Sequence, residues 1–260
     1  MIKIGLRSQF EFVPEAAGLG FDYLELPLTR ICELSDDEFD ELTAYIEAAG
    51  INIEAMYDML PDALRVNGND VRARLQHEYL DKAFYRAKRL GAKVIAFDAP
   101  RARNVPPVFD FAMARRQTGN FLRIVQGHAV GYDLQVAIQN YRHAQCNLIN
   151  TVSEAALMAA LLQLSQVGVL ADTVQMAYAA EPVEALVRCG SSLMHVHTGC
   201  PISRDLPKED DGEDYVKLFR TLIRKGYQGR VSAAADHECT IESAKAALDC
   251  LKKARQTAQS

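Results

Sequence analysis

Short apolar runs alternate with longer amphipathic stretches along the whole 260-residue chain. The runs at 2–6, 21–26, 51–57, 93–97, 134–138, 168–171, 192–197 and 230–234 are nearly continuous in apolar character. Strands of that kind belong to a parallel sheet covered on both faces; a strand with one wet face would alternate. Between them, residues 13–19, 36–50, 70–90, 109–130, 151–164, 182–188, 214–225 and 241–255 read as helices. Ser35-Asp36-Asp37-Glu38 has the residues of a capping box, and Gly20, Gly50, Gly91, Gly131 and Gly226 stand where five helices are expected to stop.

Eight strand-then-helix units, at intervals of about 30 residues, predict an α/β fold closed into a (β/α)8 barrel. A doubly wound open sheet is the alternative, but no GxGxxG or Walker loop follows the first strand. No linker rich in Pro, Gly or Ser interrupts the pattern, so one domain over 1–260 is expected.

Hydrophobic residues at 49% and charged ones at 24% describe an ordinary globule with ample core. A net charge of −5 argues against nucleic acid or an acidic membrane as main partner. The pairs Arg101/Arg103 and Arg115/Arg116 are read as solvated helix faces. The longest apolar run, around 155–164, is too short to span a bilayer. Six scattered cysteines without a CxxC pair, and no secretory leader ahead of the first strand, lead us to expect reduced thiols in the cytoplasm.

A barrel of this kind carries its site at the carboxyl ends of the strands. Those ends give Arg7, Glu25, Tyr57, Asp98, Gln139, Asp172, His197 and the corner from Ala234 to His237. The run SLMHVHTGCPISRDLP is the most telling, because strand alternation sends His195 and His197 to one face ahead of a loop with Arg204, Asp205 and Lys208. Two imidazoles and a cationic loop suit a metal or an oxyanion. The other reading makes His195 a hydrogen-bonded core histidine. Cys200 follows as a loop thiol with no base supplied to it, which describes an inert cysteine better than a reactive one.

The stretches GLGFDYLELPL, INTVSEA, LADTVQM, HVHTG and KGYQGRVS together resemble the sugar-phosphate isomerase/epimerase family, which includes the ketose 3-epimerases and hydroxypyruvate isomerases on a xylose-isomerase-like barrel. The resemblance covers essentially the whole chain. It implies one Mn²⁺ or Mg²⁺ ion held by two glutamates, an aspartate and a histidine, with the glutamates moving the proton beside a sugar carbonyl. The aspartate matches Asp172 and the histidine His197. The two glutamates fall on Gln139 and Ala234. A further glutamate of the pattern falls on Gln145, a histidine on Gln175, and the loop arginine on Arg204.

Glutamine has the shape of glutamate without its charge, and alanine offers no ligand, so a weak or absent metal site is expected. Asp236 or His237 could fill the gap at Ala234. Three readings follow from this. In the first, an isomerase or epimerase retains proton transfer, with Asp172 and His197 holding an ion or polarising oxygen and Glu25 and His237 moving the proton. Arg204 and Lys208 would then hold a phosphate or hydroxyl, and Arg7, Tyr57, Gln145 and Gln175 would line the substrate. In the second, a pseudoenzyme binds a sugar-like ligand or serves as the partner of an active paralogous subunit. In the third, the barrel has been recruited to metal-independent lyase or dehydratase chemistry. A homodimer is expected by analogy with the family.

Overall fold

Eight parallel strands close on themselves in sequence order: β1 (Lys3–Arg7), β2 (Tyr23–Pro27), β3 (Ile53–Tyr57), β4 (Val94–Phe97), β5 (Gln135–Gln139), β6 (Val167–Asp172), β7 (Leu193–Thr198) and β8 (Arg230–Ala233). The last strand pairs with the first through Lys3 opposite Arg230 and Leu6 opposite Ala233. The structure is a computed structural model that describes residues 1–237 and 239–260. It is the α/β (β/α)8 barrel that the spacing of apolar runs predicts. Among the described residues, no helix is long and apolar enough to cross a membrane.

Helices cover the outside of the barrel, and the main core lies between them and the outward faces of the strands. The helix Asp36–Ala49 opens with the expected capping box: Ser35 Oγ accepts from the Glu38 amide, and Glu38 accepts from the Ser35 amide. It ends at Gly50, whose φ of 66° a side chain would resist. The helix expected to stop at Gly131 does not stop there. It runs over Phe111–Tyr132, and Asp133 takes the left-handed cap at φ 51°, a conformation that Asp tolerates better than most residues. Short helices Leu28–Glu33, Pro100–Arg103 and Thr173–Tyr178 follow β2, β4 and β6. They are too short to show a helical period in the sequence.

The inside of the barrel is layered. At the amino end, Glu54 pairs with Lys3 and with Arg230 Nε at 2.7 Å. Above it, Tyr23, Val94, Ala96, Ala137 and Leu170 form a separate apolar plug. Gly5 is required here because a Cβ at that position would come within 2.2 Å of the Tyr23 ring. Two register shifts set the layer above. Val169 pairs with Leu193 but Leu170 with His195, which leaves Met194 unmatched and turns His195 and His197 inward. On β3, Glu54 is unmatched between Ile53 and Ala55.

Candidate functional site

Arg7, Glu25, Tyr57, Gln139, Asp172 and His197 come to the carboxyl end of the barrel, as the strand ends predict. They do not form one cluster. Glu25, on β2, reaches across to both histidines of β7. His195 Nε2 lies 3.0 Å from Glu25 Oε2, and His197 Nε2 lies 2.9 and 3.0 Å from the two carboxylate oxygens. All three side chains are completely or almost completely buried.

Burial pushes the Glu25 carboxyl up, but the facing His197 and His195 and their hydrogen bonds outweigh it and hold Glu25 well below the usual carboxylate range. Burial also lowers the His195 imidazole against the pull of Glu25. An ionised carboxylate accepts only, so each Nε2 donates its N–H to Glu25. Neither Nδ1 has a partner among the described residues. The three ligand atoms lie within 4.8 Å of one another, close enough to hold one ion between them.

Asp172 belongs to a second cluster. Gln139 Nε2 donates to Asp172 Oδ2 at 2.7 Å, and the Gln175 amide donates to Oδ1 at 3.1 Å, where Asp172 caps the helix Thr173–Tyr178. The backbone amide of Asp172 donates in turn to Asn140 Oδ1 at 3.0 Å. Burial raises the Asp172 carboxyl above its ordinary value, offset in part by His197 and the Gln175 amide. Gln139 Oε1 is buried without a donor among the described residues. The Gln139 carbonyl is held by Arg103, which also binds the Phe97 carbonyl at 3.1 Å. Arg103 is fully buried, not on a solvated face as its basic neighbourhood suggests; Arg101 is exposed and pairs with Asp62. Asp98 also serves the scaffold, since its carboxylate takes the amides of Asp58, Met59 and Ala99.

Two cavities open above these groups. One, of about 810 Å³, lies at the mouth between the loops after β1 and β8 and is lined by Arg7, Tyr57, Arg30, His237 and Cys239 among others. The other, of about 20 Å³, has room for one water and is lined by Asp172, Gln175, Thr198, Arg204 and Ala234. Both touch Arg7, Ala235 and Asp236; neither touches Glu25, His195 or His197.

Asp236 does not turn toward a metal position. Its carboxylate pairs with Arg204 at 3.0 Å. His237 is exposed at the rim. Lys208 is exposed, and neither it nor Gln145 lines either cavity. Cys200 is buried, its Sγ near the Asp211 carbonyl, and none of the six cysteines is bonded to another.

A family model described as the xylose isomerase-like TIM barrel matches residues 13–254. The chain belongs to that family. Solved structures similar to this xylose isomerase-like barrel include the apo form of the 3-keto-D-glucoside 4-epimerase YcjR from E. coli, at 20% identity, a TM-score of 0.80, and coverage of 98% of this chain and 100% of that one. A D-psicose 3-epimerase from Clostridium cellulolyticum H10, solved with D-tagatose, is 19% identical with a TM-score of 0.78, covering 99% and 97%. A D-allulose 3-epimerase from Methylomonas sp. is 16% identical with a TM-score of 0.84, covering 97% and 98%. These likenesses concern the fold. A search of curated proteins gave no match.

Sequence reasoning missed two supports of this xylose isomerase-like barrel's site, Arg103 and Asn140. Arg103 sits in the irregular stretch DAPRARNVPP, where no periodicity marks a residue as buried. Asn140 directly follows Gln139, and that adjacency to a strand end was its one available signal.

Proposed function

We propose that the chain binds a sugar or sugar phosphate at the barrel mouth as an isomerase/epimerase-like protein, with the inherited divalent-metal route impaired. The observation that carries this reading is the bond from Gln139 to Asp172. The position expected to supply a carboxylate supplies an N–H donor, aimed at the one carboxylate that remains. Ala234 adds nothing, and His197 is engaged by Glu25. This donor set does not fit Mn²⁺ or Mg²⁺, which need several oxygen ligands.

The donors that do converge, Glu25, His195 and His197, form an imidazole-rich set better suited to a Zn²⁺-class ion. They lie away from both cavities, so we assign them no step in proton transfer. The groups that face the cavities and can exchange a proton are Asp172, whose raised carboxyl suits a general base better than an ordinary aspartate, and His237 at the rim. Arg7, which lines both cavities, is placed to bind an oxygen of the ligand. A cavity of about 810 Å³ is of the size that small ligands occupy.

The test is metal analysis of protein purified without chelators, with Mn²⁺ and ketohexose titrations by calorimetry. Saturable sugar binding without stoichiometric Mn²⁺ is expected. Tight stoichiometric Mn²⁺ that Asp172→Ala abolishes would overturn the impaired-metal reading. The loss of both glutamate positions also favours a second reading, a non-catalytic binder or partner subunit. Incorporation of solvent deuterium beside the carbonyl of a bound ketose separates the two, since only the catalytic form exchanges that proton.

A further inference from the structure

Among the described residues, the charged side chains lining the two mouth cavities are matched to partners, with Arg7 the exception. Glu11 is bound to Arg30, whose guanidinium also reaches Gln9 Oε1 at 2.8 Å. Arg204 is bound to Asp236. Asp172 accepts from Gln139 and from the Gln175 amide. His237 is an exposed imidazole. Arg7 remains. Among the described residues its guanidinium makes no ion pair and no hydrogen bond; its Cζ sits 4.1 Å from the centre of the Tyr57 ring.

The two carboxylates whose charge acts on Arg7 do not serve it, because Asp98 is occupied by three backbone amides and Glu25 by two imidazoles. Arg7 is also common to both cavities, so it stands where a ligand entering the mouth would meet the deeper space beside Asp172. Tyr57 limits the freedom of the guanidinium by packing against it. A half-buried guanidinium with its N–H donors uncommitted, held by an aromatic ring, is a receptor for a planar anion.

We infer that the ligand of this barrel is a sugar acid, whose carboxylate is taken by Arg7. The inference rests on the reading of the mouth as a sugar site and names the class of sugar. One uncommitted cation balances one negative charge. A phosphate ester carries close to two charges and three acceptor oxygens, and it would need a second free cation. Arg204 and Lys208, the residues the sequence suggests for a phosphate, do not supply one. Arg204 is paired with Asp236, and Lys208 lies outside both cavities. With the carboxylate on Arg7, the hydroxyl-bearing carbons face polar groups of both signs, as a polyol requires.

The experiment is calorimetric titration of the full chain with D-glucuronate, neutral D-glucose and D-glucose 6-phosphate, each at low and high salt. D-glucuronate should bind about 10-fold or more tightly than D-glucose, the scale of a paired charge-assisted hydrogen bond, and its advantage should shrink with salt. Arg7→Gln should bring the two within about twofold, and Arg7→Lys should keep part of the preference because it retains charge without the fork.

Equal affinity of the wild type for D-glucuronate and D-glucose overturns the inference and leaves the mouth a neutral-sugar site. Tighter binding of D-glucose 6-phosphate overturns the carboxylate assignment. A preference that survives in Arg7→Gln overturns the role of Arg7. Failure of all three compounds to bind overturns the sugar-site reading with it. The wild-type comparison requires no variant, so it decides the matter even where Arg7→Gln does not fold.

Discussion

Gln139 donates its side-chain amide to Asp172 across 2.7 Å, a neutral donor facing a buried acid. That contact gives the Asp172 carboxylate an N–H donor, while Gln139 Oε1 is left without one among the described residues. Its consequence can be measured. Gln139→Glu alone puts two carboxylates within hydrogen-bond reach in a buried setting. It should cost roughly 1–3 kcal/mol at pH 7, measured by urea denaturation. The pair would then share a proton, so their joint folded-state affinity for protons rises. The lost stability should therefore return as the pH falls toward 5. Adding Ala234→Glu should give Mn²⁺ affinity that calorimetry detects; no gain would mean that these two positions do not face one ion.

Glu25 ties β2 to β7 through two buried imidazoles. Glu25→Ala should destabilise by about 3–5 kcal/mol, with Glu25→Gln losing less because it keeps an acceptor. The pH dependence has a definite sign. The folded carboxyl lies below its ordinary 4.5, so its contribution is present above that value and is lost as pH falls through the folded value. His195, lowered from 6.5, acts in the same direction: its contribution is full above 6.5 and falls on acidification. The gap between thermal melts of Glu25→Gln and the wild type should therefore begin to close only below pH 4.5 and vanish once the pH passes the folded value.

Asp172 has the opposite sign. Its folded carboxyl is raised above 3.8, so its favourable contribution exists below that value and is lost as pH rises through the folded value. At pH 7 the buried charge is a cost. Asp172→Asn keeps an acceptor for the Gln175 amide, and it should match or exceed the wild type in stability at pH 7 by up to about 1 kcal/mol. The difference should shrink on acidification. A variant markedly less stable than the wild type at pH 7 would show that the ionised form is preferred.

Arg103 holds the ends of β4 and β5 together through the carbonyls of Phe97 and Gln139. Arg103→Met should cost about 3 kcal/mol, because it leaves two buried carbonyls without donors. Since Arg103 holds the Gln139 carbonyl, the same variant should also weaken ligand binding at the mouth, and calorimetry beside urea denaturation would report both effects.

Much of this molecule is written locally. The eight apolar runs, the capping box at Ser35 and the shared face of His195 and His197 all follow from periods of two and 3.6 residues, which a single chain displays without its neighbours. The family motifs carry the barrel, and the strand ends name most of the polar residues that meet at its upper end. Local pattern fails where a residue answers to something else. Gly131 carries a stop signal, yet its helix continues to Tyr132, because a glycine ends a helix only if the chain turns there. Arg103 looks solvated within a basic stretch, but the loops after β4 and β5 close over it.

The sequence by itself determined that this chain is a parallel barrel and which acids and other polar residues stand at its strand ends, because residue identity and spacing are properties of the chain alone. Only the tertiary structure decided which polar group each of those acids meets. Glu25 finds its histidines across 170 and 172 residues, Gln139 finds Asp172 across 33, and Arg204 finds Asp236. Barrel closure and the unmatched Met194 on β7 set those partners. A buried charge is governed by what stands within about 3 Å of it, and no period along the chain encodes that distance.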